Sequence, residues 1–98
     1  MYLKIHRSYR SVVALADKEL IGKKFEEGKR QLDVRENFYK EKQVTHEEAV
    51  KILKMQIKED ATFNIVGPKA TKAALEAEII QKEHIATLSG IPFALVLL

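Results

Sequence analysis

Cysteine and tryptophan are both absent from this chain of 98 residues. Without cysteine there is no disulfide framework, no thiolate nucleophile and no sulfur-ligated metal site. Long apolar runs are missing as well. The longest, Ile91 to Leu98, is far too short to span a bilayer. The opening Met1-Tyr2-Leu3-Lys4-Ile5-His6-Arg7 interleaves charge with apolar residues and so lacks the apolar core of a secretory signal; a cytoplasmic location is the expectation. Repeats, linkers and low-complexity segments are not seen either, and the length suits one domain, 1–98, around one modest core.

Catalytic signatures are also lacking. His6, His46 and His84 are far apart, with no pair at metal-ligand spacing. Ser8, Ser11 and Ser89 fall in turns and Thr87 in a strand, none in a nucleophile-elbow setting. The pairs Glu26-Glu27 and Glu47-Glu48 lie beside lysines or at a helix start, as solvated or capping acids do. No catalytic residue, metal or cofactor is therefore assigned, and the reading leans away from an enzyme.

What is present is charge. Charged residues make up 32% of the chain, above the usual quarter, and Lys and Glu dominate; without cysteine this fits a thermophile. The net charge of +3 is unevenly spread: residues 1–42 hold 11 Lys/Arg against 7 Asp/Glu, and residues 43–98 hold 6 against 7. Such asymmetry points to a face that meets nucleic acid or another anionic partner.

Periodicity gives the elements. Tyr2–Arg7 alternates, with Leu3 and Ile5 on one face and Lys4 and His6 on the other, and Val12–Ala16 is a second strand beyond a polar turn. Asp17 is placed to cap one helical turn that ends at Gly22, residues 23–30 form a charged connection turning at Gly28, and 31–35 alternate as a third strand. Residues 36–43 are expected as a charged loop. Thr45-His46-Glu47-Glu48 matches a capping box, and Ala49, Ile52, Leu53 and Ile57 follow at helical spacing, so residues 46–58 are a helix. A strand over 62–66 runs into Gly67-Pro68, which opens an alanine-faced helix to about Ile79. Strands over 84–88 and 93–98 finish the chain, the last apolar on both faces and so expected to be central and buried. The order β-β-β-α-β-α-β-β describes an α+β domain: a mixed sheet with two helices packed on one face.

Three functional readings follow. The first is a non-enzymatic accessory protein contacting RNA or a ribonucleoprotein through Lys4, His6, Arg7, Tyr9, Arg10, Lys23, Lys24 and Arg30, with cations for phosphates and Tyr9 or Tyr2 for stacking on a base. The second is a small anion- or nucleotide-binding domain or enzyme, in which the free N–H groups of the Gly67-Pro68 helix start, with Gly67, Lys69, Thr71 and Lys72, hold the ligand. The third is a protein-interaction module with a protein partner and no nucleic-acid role. None implies a membrane.

Four stretches carry a resemblance. They are Met1–Arg7, Asp17-Lys18-Glu19-Leu20-Ile21-Gly22-Lys23, Asn64-Ile65-Val66-Gly67 leading into an alanine-rich helix, and Gly90-Ile91-Pro92. In that order and spacing they resemble the small archaeal proteins grouped as domain of unknown function 424, over essentially the whole chain. The resemblance implies an archaeal, cytosolic, single-domain protein, with a role near translation or RNA as the usual expectation and no named activity. Family members tend to carry a histidine after the proline of the last turn; Phe93 stands there in this chain.

Overall fold

The computed structural model describes residues 1–97, so the part of the expected last strand that falls on Leu98 lies outside the described residues. Two antiparallel strands come first, β1 (Tyr2–His6) and β2 (Val12–Ala16). A single 3-10 turn, Lys18–Leu20, leads to a hairpin of β3 (Lys24–Glu27) and β4 (Arg30–Asp33). A four-residue helix α1 (Glu36–Tyr39) and a two-residue strand β5 (Lys42–Gln43) precede the long helix α2 (His46–Lys58). Then come β6 (Thr62–Val66), α3 (Pro68–Glu76), a 3-10 turn at Lys82–His84, β7 (Ala86–Leu88) and β8 (Ile91–Val96).

Six strands form one mixed sheet in the order β5-β1-β2-β6-β8-β7. All its pairings are antiparallel except β2 with β6, which run parallel from Val12↔Thr62 to Ala16↔Val66. A parallel neighbour requires a crossover, and the segment containing α2 supplies it. On the helix face, Leu3, Val13, Leu15, Phe63, Ile65 and Ala94 pack against Ala49 and Leu53 of α2 and Ala70, Ala73, Ala74 and Ala77 at α3. Four small side chains let α3 lie close to the sheet, since little volume separates its backbone from the strands. A hydrogen bond from His46 to Glu76 ties the two helices at the surface. The expected α+β architecture with a helix layer on one face is thus the observed one.

Several local expectations are corrected. Residues 23–30 are not a plain connection: they contain β3 and the start of β4, paired with Phe25 opposite Leu32. The third strand pairs with this hairpin partner, and the two form a separate two-stranded sheet. Residues 36–43 hold α1 and β5 instead of a loop. α3 stops at Glu76, because Ala77 ends the helix and Glu78 takes a positive φ of 61°. The strand expected from His84 begins at Ala86. The final strand starts two residues early, at Ile91, and lies next to the edge strand; β2 and β6 are central, and Leu95 is 56% exposed.

The sheet's second face is covered only in part. Ala14, Ala16 and Val66 pack there against Leu20, Val34 and Tyr39, with Phe25, Leu32 and Phe38 at the margin. The β3–β4 hairpin therefore belongs to a second, smaller core. Its pair Phe25–Leu32 supplies the apolar face that lets a highly charged hairpin dock.

Candidate functional site

The proposed basic contacts divide into three places. Arg7, Tyr9 and Arg10 lie exposed in the β1–β2 turn, which Ser8 tightens by donating from Oγ to the Arg10 carbonyl at 2.7 Å. The Tyr9 side chain is fully solvent-exposed. Arg7 also lines a cleft of about 590 Å³ between β1 and α2, with Leu3, Ile5, Ile52 and Met55.

Lys4 and His6 lie on the sheet's second face and are occupied. Lys4 Nζ donates to the Asn37 carbonyl and His6 Nε2 to the Phe38 carbonyl, each at 2.8 Å. A carbonyl only accepts, so Nε2 carries the imidazole proton. Both acceptors are unpaired C-terminal carbonyls of α1, which a short helix cannot satisfy itself. The His6 ring also stacks on Phe38, with centroids 4.4 Å apart. These two residues fasten α1 to β1. Tyr2, the other proposed stacking residue, has the Lys40 ammonium 5.5 Å from its ring centroid.

Lys23, Lys24 and Arg30 are exposed on or beside the β3–β4 hairpin, where Arg30 lies 5.9 Å over the Phe93 ring and Lys24 faces Glu26 at 3.6 Å. The register Tyr2↔Ala16 and His6↔Val12 puts the Arg7–Arg10 turn at one end of β2, while the chain enters the hairpin from the other. Roughly 15 Å of strand separates the two ends. The exposed basic residues thus form two groups, one in the β1–β2 turn and one at the hairpin, and not one continuous patch.

The Gly67-Pro68 helix start is filled from within. Asp17, only 2% exposed, accepts from the Lys69 N–H at 3.0 Å through Oδ2 and from the Ala70 N–H at 2.8 Å through Oδ1. It does not cap its own 3-10 turn, as local sequence suggests. Its negative charge meets the positive end of α3, as an external anion would. Gly67 is required there twice over. Its φ is +110°, and a Cβ would sit 2.4 Å from Asp17 Oδ1. The Thr71 hydroxyl donates to the Gly67 carbonyl at 2.9 Å and is buried. Lys69 Nζ reaches toward Glu19 at 3.8 Å, and Lys72 is exposed. With Asp17 in place, the four residues proposed for anion binding leave no N–H pair open to a ligand at Lys69 and Ala70.

A further cleft, of about 430 Å³, lies on the second face between the sheet and the β4–α1 segment. Its lining includes Asn64, Phe93 and Leu95 from the sheet and Asp33, Phe38 and Tyr39 from β4 and α1. Sequence reasoning did not find it, because its walls come from elements that alternation alone leaves unplaced. Burial and the nearby Asp33 charge push the Tyr39 phenol up to about 12. Among the described residues no group of three His, Asp or Glu converges as a metal site would require, and no helix is long and apolar enough to cross a membrane.

A family described as "Protein of unknown function (DUF424)" matches residues 6–98. The chain belongs to this family. Among solved structures it is similar to an uncharacterized conserved protein from Methanopyrus kandleri, at 26% identity and a TM-score of 0.87, covering 97% of this chain and 88% of that one. No curated protein matches. The likeness extends the same fold to an archaeal relative and assigns an activity to neither chain.

Proposed function

We propose that this is a non-enzymatic accessory protein that contacts RNA or a ribonucleoprotein, in the setting of translation, through the β1–β2 turn. The observation that carries this reading is Tyr9, fully exposed between Arg7 and Arg10, which are also exposed. Guanidinium groups neutralise phosphates, and a solvent-facing ring gives an unstacked base a surface to stack on. Of the eight proposed contacts, Arg7, Tyr9 and Arg10 carry the interaction. Lys4 and His6 hold α1, and Lys23, Lys24 and Arg30 serve at most as a separate, weaker contact. The anion-site alternative is the less favoured one, since Asp17 already occupies the α3 N-terminus.

The test is fluorescence anisotropy with labelled single-stranded RNA across a salt series. Affinity should fall with a log–log slope of about −0.7 per phosphate neutralised. Tyr9→Ala should cost about 1–3 kcal/mol if the ring stacks on a base. Lys23→Ala and Lys24→Ala should change little. Binding that is flat in salt, or insensitive to Arg7→Ala and Tyr9→Ala, overturns the reading. In cell extract, RNase should release the protein from larger particles.

A further inference from the structure

The second-face cleft holds an anomaly that packing does not explain. Asn64 sits in central strand β6, opposite Ala14 on one side and Leu95 on the other. Its neighbours Phe63 and Ile65 are fully buried toward the helices, so its own side chain faces the cleft. Among the described residues its amide has no hydrogen-bond partner, although it offers two donors and an acceptor. Asparagine is disfavoured in a central strand, where valine or threonine would fit the pleat without a polar group to satisfy.

Tyr39 adds a second unpartnered group to the same cleft. The residue is 5% exposed, and its hydroxyl makes no hydrogen bond to a described residue. Yet among the described residues no fully buried side-chain oxygen or nitrogen lacks a partner, so this hydroxyl keeps some exposure, and Tyr39 is one of the residues that line the cleft. Phe38 and Phe93 contribute aromatic lining. Asp33 and Arg35, the two charged residues among its lining, pair at 3.1 Å, so the cleft's lining as a whole carries no net charge. Its volume of about 430 Å³ lies in the range of small-molecule sites.

We propose that this cleft binds a neutral, flat heterocycle of the nucleobase kind, with Asn64 and Tyr39 bonding its polar edge and the aromatic residues packing on its ring. An amide matches the adjacent donor and acceptor of a base edge. A purely apolar occupant would strand both polar groups, and the paired Asp33 and Arg35 offer no net charge to hold an ion. The base has two sources, a free nucleoside or an unstacked base of a single strand. The inference is independent of the β1–β2 turn.

The experiment is an NMR titration that follows the Asn64 side-chain amide and the Phe38, Tyr39 and Phe93 rings. The probes are adenosine, cytidine and uridine at up to 10 mM, then octameric single-stranded RNAs, with ribose and inorganic phosphate as controls. Asn64→Val is the variant, because it suits the strand and should fold at least as well. At least one nucleoside or octamer should shift these resonances, and Asn64→Val should weaken that binding tenfold or more. Nucleoside binding identifies a free ligand; octamer binding alone that Asn64→Val abolishes at the cleft identifies a base presented by a strand. Shifts with no probe, equal shifts with ribose or phosphate, or unchanged affinity in Asn64→Val overturn the proposal. Arg7→Ala should leave nucleoside binding intact, so failure of the turn and failure of the cleft are told apart.

Discussion

The two long helices begin in opposite ways. At α2, Thr45 Oγ1 accepts from the Glu48 N–H at 3.1 Å, and Glu48 Oε1 accepts from the Thr45 N–H at 2.9 Å. Four consecutive residues close this box, and nothing distant takes part. At α3 the N–H groups of Lys69 and Ala70 are held by Asp17, 52 and 53 residues upstream. That cap exists only once β2 and β6 lie side by side, where the Asp17 N–H also donates to the Val66 carbonyl at 3.1 Å. The first cap starts a helix; the second fastens a helix to the sheet. A helix start that looks like an open anion site in sequence is, in this fold, a structural joint.

The sharpest way to break the joint is Gly67→Ala. The added methyl would sit 2.4 Å from Asp17 Oδ1 and 2.5 Å from its Cγ, at a φ of +110° that suits only glycine. Urea unfolding should show a loss above about 4 kcal/mol, at the extreme end of single substitutions. Because part of the clash is with the Asp17 carboxyl, the double variant with Asp17→Ala should lose less than the sum of the two single losses. Strict additivity would show that the carboxylate does not press on Gly67.

Asp17→Ala comes next. It removes two charge-assisted hydrogen bonds and leaves the Lys69 and Ala70 N–H groups without their acceptor, the first part-buried and the second buried, at a cost of about 3 kcal/mol. For a domain of this size that lowers Tm by roughly 10–20 °C in a thermal melt. Asp17→Asn keeps one oxygen acceptor and should lose about half as much. Should Asp17→Ala melt like the parent, the α3 cap is dispensable and the joint is held by the alanine face alone.

The contrast between the caps also marks how far sequence reasoning reaches. Thr45 and Glu48 are three residues apart, so their partnership is visible in the text of the chain. β1, β2 and β6 are legible for the same reason, since alternation and a bounded apolar run are local properties. The reach of Asp17 is not legible, because an aspartate before a short helical turn also reads as that turn's own cap. Alternation correctly put Lys4 and His6 on the face away from Leu3 and Ile5, but it carries no information on whether α1 covers that face. The β3–β4 hairpin was missed because one apolar residue, Phe25, stands among the charges of β3 and gains meaning only opposite Leu32. Asn64 falls within a stretch that the sequence singles out, yet its place in a cleft depends on α1 and β4, which arrive from elsewhere.

The local cap should give the smallest effect and a different dependence on pH. Thr45→Ala removes one side-chain acceptor and should cost about 1 kcal/mol at neutral pH. The Glu48 carboxyl is held below its ordinary value first by the Thr45 backbone N–H and second by the Thr45 side chain. A carboxyl lowered in the folded state contributes stability above its unfolded pKa, about 4.3, and loses it as pH falls through the lower folded value. The dominant cause is a backbone group, which Thr45→Ala leaves in place. Acid melts of Thr45→Ala should therefore keep most of the parent's loss of stability on acidification below about pH 4.3 attributable to Glu48. Glu48→Gln should remove that part, while a side-chain amide can still accept from the same N–H. If Thr45→Ala flattened the acid limb as fully as Glu48→Gln, the box would be held by its hydroxyl and not by its backbone, and the two caps would differ in distance alone.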